Sequence, residues 1–268
     1  MKKNSRGTGS HRTRHLMIYT FLLILVLLYF ASRQQRMAME AQQKAEDAKK
    51  QASALKIEKQ KKDDAEDQGD TLVLDQDEMW SLVLTNESHP VPENIKVGLK
   101  EIDGTGESVD ERIYEPLMKM LDTMRKQGMD PVVCSGFRTK EKQAELFEQQ
   151  IQEYIAQGHP EREAEELAKR EVSVPEVGEH RLGLAVDIYS GNYMALDEGF
   201  ADTPEGTWLK DHAGEYGFIL RYQQGKEEQT GINYEPWHFR YVGVKAAQYM
   251  KEHGLCLEEF YIDQGLYG

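Results

Sequence analysis

Two short segments of this chain hold the residues best able to do chemistry. They are Glu179-His180-Arg181-Leu182-Gly183-Leu184-Ala185-Val186-Asp187 and Glu235-Pro236-Trp237-His238. Together they supply two imidazoles, an aspartate after the first His, and a glutamate three residues before the second. A catalytic zinc asks for this inventory: three N/O protein ligands, an open position for water, and a nearby base that is not itself a ligand. Taken singly, each of these residues reads as an ordinary polar or turn residue. The joint occurrence is more specific, with Gly and Ala between them where backbone must pack closely. His180 and Asp187 are separated by an odd number of residues, so one flat strand would point them to opposite faces. Gly183 resolves this if His180 lies on a loop and Asp187 on the strand after the turn. Pro236 biases Glu235 toward extended backbone, which excludes the helical His-Glu-x-x-His arrangement. A turn or bulge must then bring Glu235 and His238 to one metal.

The run His180-x-x-Gly183-x-Ala185-x-Asp187, followed by Glu235-x-x-His238, resembles the signature of the VanY-type D-alanyl-D-alanine carboxypeptidases. These belong to the LAS group of zinc peptidases, with D-Ala-D-Ala dipeptidases, L,D-carboxypeptidases and some phage endolysins. The resemblance extends to Ser135-Gly136-Phe137-Arg138-Thr139 with Gln143, and to the segment Tyr216 to Tyr222. It covers roughly residues 72–260. One position departs: where the family usually has Ser two residues before the first zinc His, this chain has Gly178, which bears on fine specificity and not on the metal.

The resemblance implies that His180, Asp187 and His238 hold zinc and that Glu235 is the general base. It implies that Arg138 binds the substrate carbonyl oxygen or terminal carboxylate, a task suited to a guanidinium fork. Gln143, Tyr222 and Ser135 are then substrate-binding residues. Trp237 serves either as an apolar wall beside the metal or as a core residue. His89, His159, His212 and His253 read as structural or surface residues, while Arg181 and Arg221 stay open.

The chain has 268 residues and a net charge of −14. Residues 1–36 contain seven Lys or Arg and no acid, so the remainder carries −21. So acidic a body lacks the basic footprint of a nucleic-acid binder. Between the basic residues, Leu16 to Ala31 is uncharged and almost wholly apolar. With His15 and Ser32 as flanks it approaches the ~17–20 residues a spanning helix needs. The excess of positive charge before it predicts the N-terminus inside and the body outside the membrane. A cleavable signal peptide fits less well, because the apolar core is long and Ala31-Ser32-Arg33 is a poor cleavage site. The two cysteines, Cys134 and Cys256, are too few for a disulfide framework, and Cys134 in an apolar run reads as a small buried hydrophobe.

The expected organisation is a cytoplasmic basic tail over 1–15, a membrane anchor over 16–32, a charged helical stalk over 33–70 and a catalytic domain over 71–268. In that domain, Leu72–Leu74 and Trp80–Leu84 are extended candidates. Tyr114, Leu117, Met118, Leu121 and Met124 recur at helical spacing and Gly128 supplies a stop. Val132–Cys134 reads as a strand, and Thr139 caps a helix with Ala144, Phe147, Ile151 and Tyr154 on one face. Glu161–Glu171 is a polar helix, Leu184–Tyr189 a buried strand, and Thr203-Pro204 opens a helix that Gly217 closes. Strands over 218–222 and 238–242 and a helix over Val244–His253 complete the reading. Without regular βαβ alternation, the fold class is α+β, a small antiparallel sheet with helices around a central zinc site. The expectation is a membrane-anchored zinc D,D-carboxypeptidase trimming the terminal D-Ala from peptidoglycan stem peptides outside the membrane. The alternatives are an L,D-carboxypeptidase or cross-bridge endopeptidase on the same substrate, or a wall-binding module that keeps zinc without turnover.

Overall fold

Residues 78–266, together with Leu72 and Leu74, are described by the structure, a computed structural model. The expected tail, anchor and stalk lie outside the described residues. No helix among the described residues is long and apolar enough to cross a membrane. Residues 71–268 cluster as one compact unit.

The architecture is α+β. A two-stranded hairpin, β1 (Leu99–Glu101) and β2 (Ser108–Asp110), leads into helix α1 (Glu111–Lys126). Asp110 caps α1 by accepting from the Arg112 amide, which meets one of the donors a helix start leaves open. Ile113, Leu117, Met120, Leu121 and Met124 bury the inner face of α1, and Gly128 follows with a left-handed φ of 85°. Strand β3 (Pro131–Ser135) feeds α2 (Lys140–Ala156), which Thr139 caps through the Lys142 amide. Helix α3 (Glu161–Ala168) packs its Ala164 and Ala168 on α2. After a 3₁₀ turn over Glu179–Leu182 come β4 (Ala185–Ser190), α4 (Pro204–His212), β5 (Phe218–Leu220) and the short α5 (Glu227–Thr230). The chain closes with β6 (His238–Tyr241), α6 (Val244–His253) and α7 (Leu257–Asp263).

The main sheet is wholly antiparallel in the order β3-β4-β6-β5. Strands β4 and β6 are central and almost entirely buried. One core cluster packs α1 and α4 against this sheet, and a second gathers Leu82 and Leu84 with α6 and α7. A register shift at Cys134 places Ser135 opposite Asp187, and Asp187 is itself opposite His238. Such a bulge re-aims the residues beside it, and here it aligns three side-chain positions in one row across three strands.

Several expectations need correction. Trp80–Leu84 is no strand: Met79–Ser81 is a 3₁₀ turn, and Leu82 and Leu84 are irregular backbone buried against α6 and α7. Leu72 and Leu74 are likewise outside any strand. Apolar alternation there reflects burial against helices rather than sheet pairing. Ala144 is exposed, and the buried positions of α2 include Gln143 in its place. Helix α3 ends at Ala168 rather than Glu171, and β5 stops at Leu220. The hairpin β1–β2 and helix α7 had no counterpart in the sequence reading. Both cysteines are free thiols.

A buried charge network crosses the core. Arg221 is bidentate to Glu258 of α7, at 2.8 and 2.6 Å, and donates to Glu179 at 2.8 Å. Arg240 donates to the same Glu179 oxygen at 2.8 Å and to the carbonyls of Ser81 and Val83. Removing one member strands the others in low dielectric. Arg221→Met is therefore expected to destabilise the protein by about 3–5 kcal/mol, read from denaturant midpoints of the metal-free forms. An unchanged midpoint would contradict that.

Candidate metal centre

Gly183 is what lets one short segment carry two facing groups. Its φ of 67° turns the chain sharply between the 3₁₀ turn holding His180 and the strand holding Asp187. A Cβ there would also meet the Asp110 amide at 2.9 Å. The turn demanded for the second segment is present as well: the His238 amide donates to the Glu235 carbonyl at 3.2 Å, closing a β-turn through Pro236 and Trp237. Glu235 is fixed from its other side by its amide donating to the Tyr222 carbonyl.

The side chains of His180, Asp187 and His238 converge, each buried, with ligand atoms within 4.8 Å of one another. His180 Nε2 lies 3.3 Å from Asp187 Oδ2, and His238 Nδ1 lies 3.2 Å from Asp187 Oδ1. Bonds of ~2.0–2.1 Å in tetrahedral array give ligand-to-ligand edges of roughly 3.3 Å, the separation of each imidazole from its nearer Asp187 oxygen. His180 Nε2 and Asp187 Oδ1 are buried and make no hydrogen bond. Two orphaned acceptors at one point are costly unless something positive joins them. The donor set is therefore that of a catalytic metal site with three protein ligands.

Glu235 Oε2 stands 3.4 Å from His238 Nδ1, beside the three. Burial pushes its carboxyl up to about 8, opposed by His238 and reinforced by the charge of Asp187. A carboxylate tuned toward neutrality beside a metal site can work as a base. Burial pulls His180 below the usual imidazole range, with Arg138 acting in the same direction. His238 is pushed up to about 9, since Asp187 and Glu179 outweigh the burial that opposes its charge. Asp187 stays well below the carboxylate range because His180 and Arg138 overcome its burial.

These residues line one cavity of about 530 Å³, together with Arg138, Gln143, Tyr222 and Trp237. Arg138 is already engaged there: one nitrogen donates to Asp187, Nε to Ser135 Oγ at 2.8 Å, and Nη1 reaches Gln143 Oε1 at 3.5 Å. The Ser135 hydroxyl, on a residue the resemblance makes substrate-binding, accepts from the Arg138 fork. Gln143 is buried with its amide nitrogen on the Ser173 carbonyl. A Cβ on Gly178 would lie 3.1 Å from Gln143 Cδ, so the departure at Gly178 makes room for that side chain. The Tyr222 ring lies 4.8 Å from that of His238. Trp237 both lines the cavity and packs on the core, so the two readings of it are compatible. His159 and His212 pair with Glu163 and Glu215 on the surface. Arg181 donates to the Pro175 carbonyl, and Arg221 belongs to the buried network.

Two parts of the site had no sequence signal. Glu179, quoted with the first segment but given no role, is buried with Oε2 facing His238 Nε2 at 3.6 Å. The Gly136 carbonyl accepts from His180 Nδ1 at 2.6 Å. Its loop is tied to β2, with the Gly136 amide on Glu107 at 2.8 Å and the Phe137 amide on the Ser108 carbonyl at 2.6 Å. A Cβ on Gly136 would sit 2.3 Å from the Ser108 oxygen. Gly136→Ala must shift this loop, and is expected to cost about 1–3 kcal/mol by thermal or urea unfolding and to weaken metal binding with it. A variant with native stability and affinity would show the contact is not limiting.

Two imidazoles, a carboxylate pair and an arginine, gathered in one cavity by an antiparallel sheet and the turns beside it, define a metallohydrolase-like centre. Comparison with known proteins agrees. The family model for VanY, D-alanyl-D-alanine carboxypeptidase, matches residues 106–244. A D-alanyl-D-alanine carboxypeptidase of Enterococcus faecalis is 40% identical over 197 residues, spanning 73% of this chain and 69% of the relative. A solved structure of a mutant vancomycin-resistance D,D-pentapeptidase VanY from a VanB-type cassette, in complex with Zn(II), is 40% identical. It superposes with a TM-score of 0.62 over 68% of this chain and 98% of its own. VanYB in complex with D-alanine-D-alanine, also 40% identical, gives 0.63 over 69% and 98%. The chain belongs to the VanY D-alanyl-D-alanine carboxypeptidase family.

Proposed function

We propose that this chain is a membrane-anchored zinc D,D-carboxypeptidase that removes the terminal D-Ala from peptidoglycan stem peptides on the outer side of the membrane. The observation that carries the reading is the convergence of His180 Nε2, Asp187 and His238 Nδ1 beside Glu235 in one cavity. Zinc, when bound by those three residues, supplies a Lewis acid that polarises the peptide carbonyl and brings the pKa of water toward ~7. Glu235 takes a proton from the attacking water at a carboxylate oxygen and delivers it to the nitrogen of the departing D-Ala. Arg138, steadied by Ser135 and Gln143, holds the peptide carbonyl or the terminal carboxylate at the cavity wall. Tyr222 and Trp237 form walls of the peptide pocket. The relatives named for D-alanine-D-alanine and for Zn(II) support the substrate and the metal. The apolar run over 16–31 and its positive flank support the anchor and an extracytoplasmic domain.

The deciding experiment incubates the zinc-loaded full chain, in detergent, with synthetic stem pentapeptide and tetrapeptide, and reads products by mass spectrometry. Loss of one D-Ala from the pentapeptide alone is the expected outcome. Trimming of the tetrapeptide alone would move the enzyme to the L,D class. Cleavage of neither, with zinc bound, would favour a cross-bridge endopeptidase or a binding module. Protease accessibility in intact membranes tests the topology: an uncleaved domain in sealed right-side-out vesicles would overturn the outward orientation.

A further inference from the structure

The two imidazoles of this centre are held in opposite senses. His180 offers Nδ1 to the Gly136 carbonyl, 2.6 Å away, and keeps Nε2 free of any hydrogen bond. His238 is reversed: Nδ1 lies 3.2 Å from Asp187 Oδ1 and 3.4 Å from Glu235 Oε2, so Nε2 points away from the cluster. A ring nitrogen that takes a cation cannot also carry a proton, so the proton of a metal-bound, neutral His238 must sit on Nε2. The group facing that nitrogen is Glu179 Oε2, at 3.6 Å. Both atoms are buried, and neither makes a hydrogen bond elsewhere. The other carboxylate oxygen, Oε1, is taken by Arg221 Nε and Arg240 Nη1, each at 2.8 Å. Glu179 is thus gripped from behind by two guanidiniums, with one oxygen left over and aimed at the ring.

We propose that Glu179 is a positioning residue of the metal centre: its carboxylate charge, facing Nε2 of His238 at 3.6 Å, holds the proton on that nitrogen and so favours the tautomer that presents Nδ1 to the cation. This rests on the zinc reading above and adds a residue to it. A carboxylate behind a ligating imidazole also raises the basicity of that ligand. The grip on Glu179 is anchored outside the matched region 106–244, because Arg221 is held by Glu258 of α7 and Arg240 by the carbonyls of Ser81 and Val83. Both flanks of the chain therefore brace a metal ligand, which gives α7 a purpose beyond packing.

The test is the Zn²⁺ affinity of the full chain, by competition with a chromophoric chelator, for wild type and Glu179→Gln. Gln keeps the volume, and the two guanidiniums hold its amide oxygen toward themselves. Its NH₂ then meets His238 Nε2 and favours the opposite tautomer. A 10–100-fold weaker Kd is expected, on the order seen when the partner behind a ligand is lost. A Kd within about threefold of wild type would overturn the proposal and leave the network a purely structural one. Should Glu179→Gln not fold, ¹⁵N NMR of the zinc-loaded wild-type chain decides. A His238 Nε2–H resonance moved downfield and slow to exchange, as for a proton facing a buried carboxylate, supports the assignment, and an Nε2–H at an ordinary imidazole shift, or metal on Nε2, overturns it. Failure of the wild type to bind Zn²⁺ would sink the zinc reading itself, a result distinct from a variant that binds as well as wild type.

Discussion

Glu235→Gln is expected to lower kcat on the stem pentapeptide by about 10²–10⁴-fold, the usual worth of a positioned general base, while zinc content stays at the wild-type level. The residue is placed for proton transfer and not for ligation. Its carboxylate lies 3.4 Å from His238 Nδ1, yet it stands outside the group of three whose donor atoms meet within 4.8 Å. Burial raises its carboxyl to about 8, opposed by the neighbouring His238, which makes it a stronger base than an exposed carboxylate. Gln preserves the shape, and the turn through Pro236 is set by backbone, so His238 keeps its position. KM should change little, because the amide removes an interaction made in the transition state. Zinc and activity lost together would make Glu235 a ligand and reverse the assignment.

Asp187→Ala is expected to act in the opposite order, with zinc lost first and activity following. Two imidazoles alone make a poor site for a dication, and the carboxylate sits between them, 3.3 Å from one ring and 3.2 Å from the other. The Zn²⁺ affinity should fall by more than the ~10–100-fold typical of losing a group behind a ligand, since here a ligand itself is removed. Chelator competition would measure this. The sheet should survive, because the β4–β6 register is carried by main-chain pairing and by the buried neighbours Val186 and Ile188. Arg138 loses its ion-pair partner, and near-UV circular dichroism would report any disturbance of the surrounding aromatic residues. Full zinc occupancy in Asp187→Ala would remove this residue from the centre.

The charge network argues for reading these two variants against Arg221→Met, whose expected effect is on stability. A variant that loses zinc because the fold has loosened will also shift its denaturant midpoint. One that loses zinc because a donor is gone will shift it less, when the metal-free forms are compared. Glu179 lies where the two effects meet, since it touches both the guanidiniums and His238.

Residue types and local spacing, together with the family resemblance they carry, picked out the segments that the fold brings together. An odd separation between His180 and Asp187 required a reversal of the chain, and Gly183 supplies it with a positive φ. Pro236 required a turn before His238, and the turn is there. Caps at Thr139 and Thr203, stops at Gly128 and Gly254, and the missing βαβ alternation made most helices and the α+β class legible, because these are local properties of backbone and side chain; the helix expected to run to Gly217 ends at His212, where a 3₁₀ turn takes over. Tertiary structure decided the rest. The bulge at Cys134 aligns Ser135 with Asp187 and places its hydroxyl under the Arg138 fork. The pairing of Asp187 with His238 depends on which strands become neighbours, and spacing along the chain does not encode that. Glu179 lies beside His180 in sequence but works on His238, far along the chain. Only the packing of α7 and the 81–83 segment around two arginines makes a buried carboxylate there affordable, since an unpaired charge in that position would not stay ionised.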